Sequence, residues 1–169
     1  GDSTFFHSGL HPLINTLYNQ GKTTTIIADN STTGMTGHQQ HPGTGHTLQK
    51  QPTVKVDLEQ VVRGFGFSKV DVCDPNEMDR FRKILEDHLK TDEASVIIAR
   101  RPCALQVKER KTPPRVDPDL CTNCGTCLEI GCSPLIQDEN CVSINEVMCT
   151  GCGVCVQICP AEAIVQEIQ

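Results

Sequence analysis

The chain has 169 residues, 37% hydrophobic and 21% charged, with a formal net charge of -6, no Trp, one Tyr and five Phe. That length and balance suit one ordinary globular core plus something small, and they exclude a disordered composition. The acidic balance and scarce aromatic rings argue against nucleic-acid binding, and the longest apolar runs, at 26–28 and 96–99, fall far short of the roughly 20 residues a membrane span requires.

In chain order, GDSTFFHSG at 1–9 has neither a basic nor an apolar leader segment and does not begin with Met, so it reads as the middle of a longer protein. HPLINTLYNQG at 11–21 predicts a helix. Its apolar face is Leu13, Ile14, Leu17 and Tyr18, with Pro12 in the first turn and Gly21 as the stop. TTTIIADN at 23–30 predicts a buried parallel strand whose polar end reaches the carboxyl edge, where ligands bind in α/β sheets. A Gly- and Thr-rich loop, STTGMTGHQQHPGTGHT, follows at 31–47. Then come a helix over 57–64, a strand over 69–73, a helix over 76–91 and a strand over 94–100. The long helix buries a stripe of Met78, Phe81, Ile84, Leu85 and Leu89. Alternating helices and strands predict an α/β fold with a parallel sheet over 1–105. QVKERKTPPR at 106–115, with Pro113, Pro114 and four basic residues, marks a linker to a second domain over 116–169.

Nine of the eleven cysteines lie in the last 49 residues, and eight of them form two blocks, CTNCGTCLEIGC at 121–132 and CTGCGVCVQICP at 149–160. Three cysteines at CxxCxxC spacing sit too close in sequence to pair comfortably as disulfides, and a zinc ribbon would use two per knuckle, not three. The run CxxCxxCxxxCP holds bacterial-type iron–sulfur clusters, and Cys149, Cys152, Cys155, Cys159 and Pro160 match it residue for residue. The first block departs slightly: Cys132 follows Cys127 after four residues, and Ser133 precedes Pro134. In the two-cluster pattern the fourth cysteine of each run ligates the other cluster. The expected sets are Cys121, Cys124, Cys127 with Cys159, and Cys149, Cys152, Cys155 with Cys132. The internal repeat predicts a pseudo-twofold α+β ferredoxin-like domain stapled by two [4Fe-4S] clusters, each half a cysteine loop, a short helix and a strand. Gly125, Gly151 and Gly153 let the backbone approach the clusters closely. Cys73, Cys103 and Cys141 read as small packed residues.

The opening Gly1-Asp2-Ser3 and, 28 residues after Asp2, Asn30 in DNSTTGMTG resemble the thiamine-diphosphate motif of enzymes that cleave bonds next to a 2-oxo group. Magnesium is a hard cation that takes oxygen ligands. The resemblance implies Mg2+ held by Asp2, the Asn30 side chain and the Thr32 carbonyl. It implies a diphosphate wrapped by Gly1, Ser3, Thr33, Gly34, Met35, Thr36 and Gly37. Among the loop histidines His38 is the candidate for proton transfer or substrate orientation, while His41 and His46 read as loop packing.

Together with the cysteine blocks, IIADNSTTGMTGHQQHPGTG and GDSTFFHSG are similar to the C-terminal part of the large subunit in the indolepyruvate:ferredoxin oxidoreductase family. That resemblance covers essentially the whole chain. It implies oxidative decarboxylation of an aryl pyruvate with coenzyme A to aryl-acetyl-CoA and carbon dioxide, with electrons passing through two clusters to ferredoxin. The implied partners are the enzyme's beta subunit and ferredoxin, in a reducing cytoplasm. It also implies that a separate pyrimidine-binding domain, absent from this chain, completes the thiamine site, so the chain alone should bind clusters well, bind thiamine poorly and fail to turn over. Two alternatives stay open: an electron-transfer ferredoxin subunit with an α/β docking segment, and a pyruvate or 2-oxoglutarate ferredoxin oxidoreductase.

Overall fold

The computed structural model describes residues 1–108 and 111–167; Glu109 and Arg110 of the expected linker, and Ile168 and Gln169, lie outside the described residues. The chain divides into two compact units, Gly1–Gln106 and Val107–Gln169.

The first unit opens directly into helix: α1 (Asp2–Thr4), a π-helical turn (Phe5–Gly9) and α2 (Leu10–Tyr18) run without a break. The predicted helix therefore starts nine residues early, and Pro12 lies inside it. A proline ring collides with the carbonyl four residues before it; here that carbonyl belongs to Ser8, within the widened π turn, which is where a helix absorbs such an intrusion. Only Leu13 of the predicted face is buried; Ile14 and Tyr18 are exposed. The helix stops at Gln20, which takes the left-handed conformation (φ 54°) expected of Gly21.

Strands β1 (Thr24–Asp29), β2 (Val70–Cys73) and β3 (Ser95–Arg100) form a parallel sheet in the order β1-β3-β2. The central β3 buries Val96, Ile97 and Ile98 completely, as a strand covered on both faces must. Ile27 pairs with Ile98 and Val70 with Val96. That face packs Phe5, Leu13, Leu58, Val62 and Phe67 into the core. Each such side chain contributes on the order of 1.5–3 kcal/mol of transfer energy. Strand β1 has a neighbour on one side only, so Ile26, facing away from Ile27, is 47% exposed and the strand is less buried than its sequence suggests.

Helix α3 (Leu58–Gly64) is capped by Asp57, whose Oδ1 accepts from the Gln60 N–H at 2.9 Å. Helix α4 (Met78–Leu89) carries a different stripe from the expected one. His88 is 1% exposed while Leu89 is 67% exposed. His88 lies four residues after Ile84 and continues its face, and its Nε2 meets Asp71 Oδ2 of β2 at 2.8 Å.

The second unit has little regular structure. Its outer strands β4 (Arg115–Val116) and β7 (Ile164–Val165) pair antiparallel, so Arg115 belongs to a strand and not to a connector. Strands β5 (Leu135–Gln137) and β6 (Val142–Ile144) form a hairpin. A 3-10 turn (Thr126–Ile130) follows the first cysteine loop and α5 (Val154–Ile158) the second, each opening at a left-handed glycine, Gly125 or Gly153. The buried cluster is Cys127, Leu135, Val142, Cys155 and Ile164. Cys141 lies at the hairpin turn, half-buried and outside that cluster, because the turn lifts it off the strand face. Gln166 Nε2 donates to the carbonyls of Thr112 (2.6 Å) and Gly151 (2.9 Å). A Cβ on Gly151 would stand 2.3 Å from the Lys111 carbonyl, so only glycine fits there.

Candidate functional site

At the carboxyl ends of the parallel strands lies a cleft of about 590 Å³, lined by Gly1, Asp2, Ser3, Asn30, Thr32, Thr33, Gly34 and Met35, together with Pro75 and Arg101. Eight of the residues expected around a diphosphate thus line one cleft. Thr36 and Gly37 are not on its wall; Gly37 makes the left-handed turn (φ 111°) that returns the loop, and the Thr36 hydroxyl donates to Gln39. His38 is also off the wall, its Nε2 3.7 Å from Cys103 Sγ. Cys103 is accordingly half-buried beside an imidazole, not packed in the core. His46 is exposed.

The GDS turn positions Asp2 by starting a helix there. Asp2 is buried, and its Oδ1 accepts from the Ser3 N–H at 2.8 Å. Oδ2 stands 3.2 Å from His41 Nε2, outside hydrogen-bond angle, and neither atom has a hydrogen-bond partner. His41 Nδ1 accepts from the Gly43 N–H, which leaves the ring's donor at Nε2, beside Asp2 but not aimed at it. The ring stacks on Phe6 at 5.7 Å, so His41 reaches the site that its sequence position hid. Burial pushes the Asp2 carboxyl above the usual carboxylate range, with Asp29 adding to the rise and Ser3 and His41 opposing it. A buried carboxylate oxygen without a partner is costly on its own and well served by a cation.

Asn30 Oδ1 accepts from the Thr32 N–H at 3.2 Å, keeping the amide at the strand end. Thr33 Oγ1 donates to Ser3 Oγ at 2.9 Å, joining the two halves of the motif. A Cβ on Gly34 would come within 3.2 Å of Asn30 Nδ2. Asp29 is held by Arg100 Nε at 2.7 Å and by the Ser31 N–H at 3.0 Å. One carboxylate, one amide oxygen and adjacent main-chain groups fit a hard dication with a diphosphate.

In the second unit a cavity is lined by Cys121, Cys124, Cys127 and Cys159, with Pro160 beside them. Burial pushes the Cys127 thiol up, and the neighbours adding to the rise are Cys159, Cys124 and Cys121. Burial likewise pushes Cys155 up to about 11, with Cys152, Cys149 and Cys132 adding to it. Cys132 is raised by burial and by Cys152 and Cys149. The eight thiols thus sort into two sets of four, each crossing the repeat through its last cysteine. Cys124 departs in the other direction: the Thr126 hydroxyl stabilises its thiolate and lowers it. Crowded, buried sulfurs that raise one another are what a thiolate-bound cationic iron centre relieves. Among the described residues no three His, Cys, Asp or Glu side chains stand close enough to hold a single metal ion.

The family description "Thiamine pyrophosphate enzyme, C-terminal TPP binding domain" matches residues 1–99. The chain belongs to the thiamine pyrophosphate enzyme family. A second description, "4Fe-4S binding domain", matches residues 138–165 of this family member. It therefore carries a thiamine-diphosphate-binding domain and an iron–sulfur region. Three relatives, each named "Indolepyruvate oxidoreductase subunit IorA", align along nearly all of it. They come from Archaeoglobus fulgidus (42% identity, 97% of this chain), Methanothermobacter marburgensis (37%, 99%) and Pyrococcus abyssi (37%, 96%). The aligned region is their C-terminal part, and the chain spans about a quarter of their length, 26–27%. No helix among the described residues is long and apolar enough to cross a membrane.

Neither His41 nor Arg101 was legible as a site residue. His41 meets Asp2 across 39 positions of sequence, and no local pattern marks it. Arg101 carried a weak signal, a cation just past the carboxyl end of a predicted strand.

Proposed function

We propose that this chain forms part of the large subunit of a 2-oxoacid:ferredoxin oxidoreductase of the indolepyruvate type. The reaction is an aryl pyruvate plus coenzyme A and two oxidised ferredoxins giving aryl-acetyl-CoA, carbon dioxide, a proton and two reduced ferredoxins. The observation that carries this reading is the presence on one chain of the diphosphate cleft and of eight thiols sorted into two sets of four. Bound thiamine diphosphate supplies electron withdrawal at the carbon that loses carboxylate, and two [4Fe-4S] clusters supply one-electron acceptors.

The chain's own residues bind and orient. Asp2, the Asn30 amide oxygen and the Thr32 carbonyl hold Mg2+, and the Ser3 N–H keeps the Asp2 carboxylate from turning away. Gly34 and Met35, on the cleft wall, offer their main-chain N–H groups to the diphosphate, and the loop that carries them is tied to the GDS turn through Thr33 and Ser3. Cys121, Cys124, Cys127 and Cys159 hold one cluster; Cys149, Cys152, Cys155 and Cys132 hold the other. His38, off the cleft wall and beside Cys103, keeps a substrate-orienting role only if the substrate extends past the wall to reach it. The relatives' name supports the aryl substrate, and a partner subunit and ferredoxin complete the reaction in a reducing cytoplasm. The 169-residue chain alone keeps its clusters, binds thiamine diphosphate weakly and does not turn over.

The test is iron and acid-labile sulfide analysis, with low-temperature EPR, on the full-length enzyme purified without oxygen. About eight irons per large subunit and two interacting signals are expected. Zinc in their place would sink the redox reading. Asp2→Ala and Asn30→Ala should each abolish Mg-dependent thiamine diphosphate binding with iron content unchanged, an outcome a mere docking segment would not give.

A further inference from the structure

The wall of the strand-end cleft holds one cationic side chain, Arg101, which follows β3 and lines the same cleft as Asp2, Asn30 and Thr33. Its position is set by neighbours. The Arg101 N–H donates to the Asp29 carbonyl at 2.9 Å, anchoring its backbone to the end of β1. Its Nη1 donates to Asp74 Oδ2 at 2.5 Å, just past the end of β2. Asp74 is itself fixed, because its Oδ1 accepts from the Asn76 N–H at 2.9 Å. Three adjacent strand ends therefore aim one guanidinium. Among the described residues its Nε and Nη2 have no protein partner, and the side chain is 39% exposed.

Arg100, one residue earlier, differs: it spends its Nε on Asp29 at 2.7 Å and lines a separate small cavity with Asp2 and His41. The two arginines divide the work. Arg100 closes a strand-end ion pair through Nε, whereas Arg101 lines the cleft with Nε and Nη2 unspent. A planar fork with free N–H groups, preset by a carboxylate on its far side, is suited to a phosphate oxygen.

We propose that Arg101 is a diphosphate-binding residue, donating through Nε and Nη2 to a phosphate of thiamine diphosphate in the cleft it shares with Asp2 and Asn30, with Asp74 as its positioning residue. This rests on the proposed thiamine site. The diphosphate carries more negative charge than one Mg2+ neutralises, so a second cation on the cleft wall complements the metal. Loss of a charge-assisted pair weakens binding about 10- to 100-fold.

The experiment uses the full-length enzyme complex, stripped of thiamine diphosphate and titrated by calorimetry with Mg2+ and either thiamine diphosphate or inorganic diphosphate. Arg101→Ala should weaken both ligands by about 10- to 100-fold. Arg101→Lys and Asp74→Asn should fall between it and the unsubstituted enzyme. KM for the 2-oxo acid, measured at saturating thiamine diphosphate, should not move, and iron content and thermal midpoint should hold. If Arg101→Ala raises KM for the 2-oxo acid and leaves both diphosphate affinities intact, the guanidinium serves the substrate carboxylate and the proposal is wrong. Unchanged affinity and unchanged KM would also overturn it. Failure of the unsubstituted enzyme to bind thiamine diphosphate with Mg2+ would remove the thiamine site itself, a result distinct from a silent Arg101 variant.

Discussion

The first unit keeps its core and its cleft apart. Its buried residues, Phe5, Leu13, Val62, Val70, Val96 and Ile98 among them, pack on one face of a parallel sheet, and the cleft opens at the strand ends. The second unit does not separate them: two of its five buried cluster residues, Cys127 and Cys155, belong to the candidate ligand sets. With strands of two or three residues, it has three aliphatic residues in that cluster, Leu135, Val142 and Ile164, set among those thiols. In the first unit the site is an attachment to a fold; in the second, the fold is built around the site. A unit this small supplies only a marginal apolar core, and a metal staple adds to it.

The sharpest way to break this contrast is to remove iron. Oxidation followed by chelation should erase hydrogen-exchange protection over 111–167 while β1, β2 and β3 stay protected. Retained protection in the apo second unit would show that its few apolar residues suffice. The converse experiment attacks the first core: Ile98→Ala should cost about 2–5 kcal/mol in denaturant unfolding of that unit. The EPR signals should be unchanged.

A thiol-reactivity comparison refines the picture. Burial raises the Cys73 thiol, so near neutral pH it stays protonated and poorly nucleophilic, becoming reactive only as pH climbs toward that raised value. Half-buried Cys103, beside His38, should be alkylated before Cys73. Mass spectrometry of iodoacetamide-treated protein in native buffer reads the order, and Cys73 labelling first would contradict the packing. The smallest effect expected is at Asp71, whose carboxylate is half exposed. Asp71→Ala should destabilise the first unit by about 1 kcal/mol by stranding His88 Nε2. A larger loss would mean that α4 depends on that pair more than on its apolar residues.

Much of this was legible in the sequence, and for definable reasons. Strands β1, β2 and β3 announce themselves by β-branched runs, and α3 and α4 by apolar spacing and the Asp57 cap. The cysteine blocks fix their own chemistry because thiolate spacing is a local property. What stayed hidden depends on distant partners. His88 looks like a surface residue until Asp71 supplies its hydrogen bond. Ile26 looks like core until the strand order leaves it on an edge. The helix at Asp2 was obscured by Gly9 and Pro12, whose breaking tendency the π turn absorbs. Asp2 itself was found by motif, but not the imidazole 3.2 Å away.

The antiparallel pairing of β4 with β7 puts the incoming and outgoing chain of the second unit side by side, about 4.8 Å apart. Gln166 fastens that seam to Thr112 and to the second cysteine loop. A segment whose two ends meet is a closed cassette. It can be spliced into an exposed loop of an unrelated host, or appended to one, without stretching either partner. The electron-carrying module is in that sense a portable part, and its ancestry need not be that of the sheet it follows.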